Sequence, residues 1–314
     1  MNPELISIPS GVAGLGNLAL PSYFGLLTFG FIIVTILGRR WAKGHGLDPR
    51  LFVDFVIIMA LLGVVGSRIM HVLVDGHFWD YVHVCIDPAK VDWKVDRGDC
   101  AALKGAWDAA RGLCHPVQRN CLAFADVTAG GFAFYGGLIA AALYSIHFIR
   151  RHRWPAGKVV DMAGWTITFG LAWGRMGCFL ASCCFGARTD CAIGVVFPGR
   201  SAASRSQWEE GLLASYRLHS LPVHPTQLYE ALGSLAVAAF AYFVLRPRKR
   251  FDGEVFCVAM IGYAAVRFLV EFLRRDERGE FFGLSSSQII AVAFTGVCVW
   301  LWGRFRRRAA RILG

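Results

Sequence analysis

Three polar residues, Tyr263, Arg267 and Glu271, interrupt an apolar stretch at intervals of four residues. In an α-helix this spacing places them in one stripe, so Glu271 can pair with Arg267 or with another nearby arginine. An ionisable residue inside an apolar span is costly and marks a functional site by default. The alternative for this pair is an ion pair that only locks two helices together.

Other charged residues interrupt the remaining apolar stretches or stand at their ends. Arg68, Arg175 and Arg267 carry three positive charges, against two negative charges on Glu230 and Glu271. Surplus positive charge in a low-dielectric pocket attracts an anion, and a guanidinium group matches a phosphate through two parallel hydrogen bonds. We therefore predict a phosphate-binding site. The other candidate residues, which we expect at the same depth along the apolar stretches, are Gly136, Gly137, His224, Tyr229, Arg274, Tyr135 and Tyr23.

The stretches that carry these residues are long enough to cross a membrane. The chain has 314 residues, of which 55% are hydrophobic and 18% charged, whereas an average soluble domain is about 25% charged. Its mean hydropathy is +0.47. This composition excludes a disordered chain and argues against a soluble enzyme. A membrane helix needs about 20 mostly apolar residues.

The fold class predicted from these stretches is an all-α integral membrane protein with seven transmembrane helices. We expect one membrane domain over residues 1–314, without a cleavable signal peptide, because residues 1–19 lack a basic start. The predicted spans are 20–38, 51–74, 128–149, 159–181, 226–245, 253–273 and 286–303.

The basic residues predict the orientation. Four short segments hold 17 of the 33 Lys and Arg residues, and seven spans place all four on one side, whereas an even number would not. The positive-inside rule makes that side cytoplasmic. The N-terminus is then outside, the C-terminus is cytoplasmic, and the candidate site faces the outer leaflet. We attribute the net charge of +11 to basic residues that flank membrane spans. We therefore expect the lipid bilayer as a partner and no nucleic acid. The segments are 39–50, 150–158, 246–250 and 304–311.

Two long loops, 75–127 and 182–225, are predicted to lie outside the cytoplasm and to form a small head region. The first contains four cysteines, which indicates two disulfides, with three pairings open. A metal site that includes His115 is the alternative, although no CxxC pair is present. The cysteines of this loop are Cys85, Cys100, Cys114 and Cys121.

The motifs of the chain resemble those of the prolipoprotein diacylglyceryl transferases, a family of bacterial inner-membrane enzymes. The most specific are HPTQLYE at 224–230 and RFLVEF at 267–272, whereas GRMG at 174–177 is weak alone. The resemblance covers most of the chain apart from about 77–125. Further matching segments are 23–25, 66–68, 135–139, 158–161 and 262–263.

The resemblance implies an activity and roles for single residues. Members move the diacylglyceryl group of phosphatidylglycerol onto the thiol of the lipobox cysteine, in the signal peptide of a prolipoprotein, and release glycerol-1-phosphate. No cofactor and no metal are expected. The resemblance implies that Arg175 and Arg267 bind the phosphate and that Tyr263 and Glu271 support them. It also places Tyr135 where many members have a histidine before Gly-Gly.

The chain departs from the family pattern at several positions. Cys178 and Ala181 replace asparagines, Cys183 replaces an acidic residue and Phe24 replaces a tyrosine, whereas Gly186 matches. The change at Tyr135 matters because a phenol, with a pKa of about 10, is a poorer base than an imidazole near 6.5. Two alternatives therefore stay open. One is a paralogous phospholipid-dependent transferase with another acceptor, and the other is a thiol–disulfide oxidoreductase.

Three cysteines lie within seven residues, just after Arg175. Cys178 and Cys183 are candidate reactive thiols, because a neighbouring arginine stabilises a thiolate that can form a covalent intermediate. The alternative is a set of local disulfides or packed thiols that also includes Cys184 and Cys191.

Overall fold

The computed structural model describes residues 4–8, 18–74, 76–93, 95, 97–126, 131–274, 280–281 and 283–313. The predicted start of the third span, at residues 128–130, lies outside these ranges. The chain divides into two compact units, Met1–Gly44 with Pro155–Gly314, and His45–Trp154. A single membrane domain stays a prediction.

The described residues are mostly helical. The helices in chain order are α1 (Ser22–Gly44), α2 (Pro49–Val74), α3 (Phe78–Ile86), α4 (Arg97–Ala102), α5 (Phe134–Arg151), α6 (Ala156–Leu180), α7 (Ala202–Glu209), α8 (Thr226–Ala239), α9 (Glu254–Glu271) and α10 (Ser286–Leu313). Short strands form three antiparallel pairs. The pairs are β1 (Glu4–Ile8) with β2 (Leu18–Pro21), β3 (Ala106–Asp108) with β4 (Leu113–His115), and β5 (Glu280–Phe281) with β6 (Leu284–Ser285).

Helices occur at all seven predicted spans, but within the described residues only four are long and apolar enough to cross a membrane. Helices α5, α6 and α9 fall outside this set. Helix α9 has 18 residues, among them Glu254, Arg267 and Glu271. The all-α membrane character of the fold is therefore confirmed, and the count of seven stays a prediction. The four spans are Phe24–Gly44, Pro49–Val74, Thr226–Arg248 and Ser286–Arg311.

Helix α6 is central to the larger unit, because it packs against α1, α8 and α9, and α9 also packs against α10. The contact between α6 and α9 depends on Gly164. A Cβ atom at this position would lie 2.6 Å from the Cα atom of Phe256. This close approach brings side chains from α6, α8 and α9 together at the other end of the same helices.

An ionic cluster joins the start of α9 to α6. Asp161 accepts a hydrogen bond from Lys249 Nζ at 2.8 Å and another from the backbone N–H of Val255 at 2.9 Å. Burial alone would lower the pKa of Lys249, but hydrogen bonds to Asp161 and Asp252 outweigh it and raise the pKa. A carboxylate at a helix N-terminus also stabilises the helix dipole. The first turn of α9 is thereby fixed relative to α6.

The segment between α6 and α8 has a small core of its own. Phe197, Ala203 and Val223 are buried together there. Gln207 on α7 donates to the carbonyl of Leu221 and accepts from its N–H, at 3.3 and 2.7 Å. This segment matches the predicted loop at 182–225 and forms a folded element. Its position outside the cytoplasm stays a prediction.

In the smaller unit, α2 and α5 pack closely through glycines. A Cβ atom on Gly66 would lie 2.6 Å from the carbonyl oxygen of Gly136, and one on Gly137 would lie 2.8 Å from that of Gly63. Small residues that let two backbones approach are typical of membrane helix pairs. Gly136 and Gly137 therefore have a packing role, and their predicted contact with lipid stays a prediction.

The Cys-containing loop of the smaller unit has two disulfides, Cys85–Cys121 and Cys100–Cys114. The prediction of two bridges is confirmed. The alternative of a metal site is wrong for these cysteines, since all four sulfurs are bonded to one another in pairs. His115 is buried and its Nδ1 atom lies 2.9 Å from the carbonyl oxygen of Val91.

Candidate active site

An ion pair between α6 and α8 forms the first half of the site. Glu230 is fully buried, and its Oε1 atom lies 3.0 Å from Arg175 Nε. The hydroxyl of Tyr263 on α9 donates to the same oxygen at 2.9 Å. One carboxylate oxygen thus holds an arginine and a tyrosine from two other helices. Within the described residues, Glu230 Oε2 is buried without a hydrogen-bond partner.

A second ion pair lies two turns further along α9. Arg267 Nη1 is 2.6 Å from Glu271 Oε2, as the i, i+4 spacing predicts. Ser287 accepts from Arg267 Nη2 at 3.1 Å, and the hydroxyl of Ser285 donates to Glu271 Oε1 at 2.8 Å. Arg274 Nε lies 4.0 Å from Glu271 Oε2. Ser285 ends β6 and Ser287 lies in the first turn of α10, and nothing in the spacing of α9 indicates either serine.

Two buried carboxylates and three arginines meet at this site. Arg175 pairs with Glu230, and Arg267 and Arg274 both lie beside Glu271. Arg267 is 9% exposed and the side chain of Arg274 is 3% exposed. Attraction between charges is strong where water is excluded. The arrangement therefore suits a bound anion.

The backbone around Gly186 joins the site to the segment before α8. Gly186 N–H donates to the carbonyl of His224 at 2.9 Å, and the next N–H, of Ala187, donates to Leu273 at 2.7 Å. A Cβ atom on Gly186 would lie 2.6 Å from the Leu273 carbonyl oxygen. Only glycine fits between these two backbones. This contact fixes His224, whose Nδ1 atom is 3.3 Å from the Tyr229 hydroxyl.

The cysteines after Arg175 form a thiol cluster, by which we mean Cys178, Cys183 and Cys184. Their three sulfur atoms lie within 4.8 Å of one another and none is in a disulfide. Cys191 is also free and is exposed. The alternative of local disulfides is therefore wrong. Packed thiols are found for the three members of the cluster but not for Cys191.

Hydrogen bonds within the thiol cluster shift the pKa values of Cys183 and Cys184 in opposite directions. The hydrogen bond with Cys178 has the largest effect on Cys183 and raises its pKa, and the hydrogen bond with Cys184 raises it further. Hydrogen bonds from Cys178 and Cys183 lower the pKa of Cys184, and the charges of Arg274 and Arg175 lower it further. The predicted reactive thiols were Cys178 and Cys183. The lowered pKa adds Cys184 to these candidates, and no feature of the sequence distinguishes it from its neighbour. The reactivity of these thiols stays a prediction.

The remaining predicted site residues belong to the smaller unit. Arg68 is buried, and its guanidinium group donates to three backbone carbonyls, of Phe124, Ala123 and Gly131, at 2.7, 2.9 and 3.0 Å. It also lies over the ring of Tyr81. This arginine is therefore engaged within its own unit. Tyr135 begins α5 and is 55% exposed. Contact of either residue with a substrate stays a prediction.

Comparison with known proteins identifies the family. The family model described as prolipoprotein diacylglyceryl transferase matches residues 11–304. The chain belongs to the prolipoprotein diacylglyceryl transferase family. This membership favours the transferase over the thiol–disulfide oxidoreductase. The match extends over both units and includes the two ion-paired arginines, Arg175 on α6 and Arg267 on α9.

Individual members of the family match over most of their length. The phosphatidylglycerol–prolipoprotein diacylglyceryl transferase of Clostridium tetani is 26% identical over 94% of this chain and 97% of its own. The enzyme of that name from Corynebacterium diphtheriae is 24% identical over 96% and 94%. That of Erwinia tasmaniensis is 33% identical over 62% and 69%.

Proposed function

We propose that the chain transfers the diacylglyceryl group of phosphatidylglycerol to the lipobox cysteine of prolipoprotein signal peptides. The observation that carries this proposal is the group of guanidinium groups around two buried carboxylates in a member of this family. Arg175 lies 3.0 Å from Glu230, and Arg267 and Arg274 both lie beside Glu271. Guanidinium groups bind a phosphate through two parallel hydrogen bonds. No cofactor is part of the proposal.

The reaction is a substitution at carbon. The thiolate of the peptide attacks the CH2 carbon of the diacylglyceryl group that carries the phosphate oxygen. A C–S bond forms as the C–O bond breaks, and the bonding electrons leave with glycerol-1-phosphate. The phosphate gains negative charge in this step, so guanidinium groups stabilise the transition state more than the bound lipid. We assign this role to Arg175 and Arg267, and the placement of those groups to Glu230, Tyr263 and Glu271.

Unpaired acceptors beside the arginines support a glycerol headgroup. Glu230 Oε2 and Gln227 Oε1 are buried without hydrogen-bond partners in the described part of the chain. A buried acceptor without a donor is costly. The headgroup of phosphatidylglycerol offers two hydroxyl donors next to its phosphate. We therefore propose that Glu230 and Gln227 contribute to the choice of lipid.

Transfer in vitro tests the activity. Purified protein in detergent is mixed with a lipobox peptide and phosphatidylglycerol, and the mass of the peptide is measured by mass spectrometry. We expect a peptide heavier by one diacylglyceryl group. Unmodified peptide, from protein that binds the lipid, contradicts the proposal.

A phospholipid-dependent transferase with another acceptor is the second candidate. It is favoured by Cys178, Ala181 and Cys183, which replace the two asparagines and the acidic residue of the family pattern. Release of glycerol-1-phosphate from the lipid, without modification of the lipobox peptide, would identify this candidate.

We also propose seven spans in one membrane domain of the bacterial inner membrane, with the N-terminus outside and the C-terminus cytoplasmic. The site, with His224 and Tyr229, then faces the outer leaflet, and the proposed topology also puts Arg68 and Tyr135 at the outer ends of their own spans. The outward faces of the long helices support a lipid surface, since Leu61, Leu143, Leu232 and Leu269 are each more than 60% exposed.

Reporter fusions test this orientation. Green fluorescent protein fused after residue 314 is expected to fluoresce, and alkaline phosphatase inserted at Gly211, an exposed turn with φ of +74°, is expected to be active. The physical reason is that 17 of 33 basic residues flank one side of seven spans. Alkaline phosphatase activity from a C-terminal fusion would contradict a cytoplasmic C-terminus.

A further inference from the structure

We infer that the thiol cluster, Cys178, Cys183 and Cys184, is a binding site for one soft d10 metal ion, Cu(I). Neither the proposed reaction nor the family requires such a site. The three sulfurs lie within 4.8 Å of one another. Three sulfurs bound at about 2.3 Å to a single ion are about 4 Å apart, which falls inside that limit.

The number and type of ligands favour Cu(I) over Zn(II). In the described part of the chain no further His, Cys, Asp or Glu side chain joins the group. A structural zinc site almost always has four protein ligands. Thiolates suit Cu(I) as well as zinc, but Cu(I) accepts three ligands in a plane, which is the number found here. On binding, the thiols lose their protons to solvent, so no oxidant or reductant is needed when the ion is supplied as Cu(I).

The backbone around the cluster is held in place before any ion binds. Gln227 Nε2 donates to the carbonyl of Cys183 at 2.6 Å, and Thr226 Oγ1 donates to that of Cys184 at 3.0 Å. The N–H of Cys183 donates to the carbonyl of Cys178 at 3.1 Å. Both donor side chains on α8 are buried. Ligands on a fixed backbone bind an ion with less loss of conformational entropy.

The conformation of this loop is itself unusual. Ser182 and Cys184 have φ values of +59° and +61°. Residues other than glycine are strained there and persist where surrounding contacts hold them, which occurs most often at functional sites. Reversal of the chain at these two positions is what returns Cys183 and Cys184 to the end of α6, beside Cys178.

An ion has access to the cluster from a cavity. Cys184 is among the residues that line a cavity of about 370 Å³ next to α7, with Phe185, Gln207 and Val223. A metal site requires an access path as well as ligands. The charges of Arg175 and Arg274, which act on Cys184, partly balance the negative charge of three thiolates.

Competition with a chromogenic Cu(I) chelator tests the site. The protein is reduced, freed of metal, and titrated without oxygen against the chelator. We expect one Cu(I) per chain in the wild type. Cys178→Ser, Cys183→Ser and Cys184→Ser are each expected to weaken binding at least about tenfold, because even residues that only orient ligands contribute 10–100-fold to affinity. Cys191→Ser, at an exposed free thiol outside the cluster, is the matched control and is expected to bind as the wild type does.

A measurement on the wild type alone does not depend on whether the cysteine variants fold. Cu(I)-loaded and metal-free protein are treated with a maleimide and digested, and the labelled peptides are quantified. Cu(I) is expected to protect Cys178, Cys183 and Cys184, whereas Cys191 is labelled equally in both. A wild-type chain that takes no Cu(I) from the chelator, or equal labelling of the three thiols with and without the ion, would overturn the inference. Neither readout depends on transfer activity.

Discussion

Arg267→Ala is expected to lower kcat for diacylglyceryl transfer by about 10²–10³-fold, the usual loss when one donor to a developing charge is removed. Arg267 is 9% exposed, and its carboxylate partner in the described part of the chain is Glu271. The leaving phosphate gains a negative charge that this group would stabilise. The measurement is the rate of peptide lipidation at saturating phosphatidylglycerol.

The surroundings of Glu271 let this loss be assigned to chemistry. Without Arg267, Glu271 still faces Arg274 Nε at 4.0 Å and still accepts from the Ser285 hydroxyl at 2.8 Å. The carboxylate therefore stays paired, and we expect the variant to remain folded in the membrane. Lipidation by Arg267→Ala at the wild-type rate would refute the role of this residue.

The segment that leads into α9 offers a matched control for the shape of the guanidinium group. Arg250 forms the same i, i+4 pair with Glu254 as Arg267 forms with Glu271, but the side chain of Arg250 is 75% exposed. Arg267→Lys keeps the charge and loses the planar group that binds phosphate through two hydrogen bonds. We expect Arg267→Lys to be impaired and Arg250→Lys to transfer normally.

The helices could be predicted from the sequence far better than their ends. The apolar stretch at 286–303 lies in a helix that continues to Leu313, because the arginines that follow it are good helix formers. The stretch at 226–245 is α-helical only to Ala239 and then takes a π-helical turn over Phe240–Leu245. Such a turn changes the hydrogen-bond pattern without changing the apolar composition.

The site could be predicted where its contacts are local. The pair of Arg267 and Glu271 follows from their spacing on one helix. The contact of Arg175 with Glu230 joins two helices and depends on tertiary packing. Arg68 was predicted to share the surplus charge, but backbone carbonyls of its own unit hold it, and Arg274 is the third arginine beside the carboxylates.

Loss of Glu230 is expected to have the largest effect on stability. Glu230→Ala leaves the guanidinium group of Arg175 buried without its carboxylate, and removes the acceptor of the Tyr263 hydroxyl. Breaking a buried pair by removing one partner costs about 3–5 kcal/mol. We expect a clearly lower midpoint in thermal unfolding of the detergent-solubilised protein, together with loss of transfer.

A double variant separates the two consequences of this change. When both charges are replaced, as in Arg175→Met with Glu230→Leu, no unpaired charge remains, and such exchanges are often neutral for stability. We expect the double variant to recover most of the unfolding midpoint and none of the transfer activity, because the phosphate still lacks Arg175. An unfolding midpoint as low in the double variant as in Glu230→Ala would show that the unpaired charge of Arg175 is not the cause of the lost stability. Recovered transfer would remove Arg175 from the proposed mechanism, since its guanidinium group would then be dispensable for binding the phosphate.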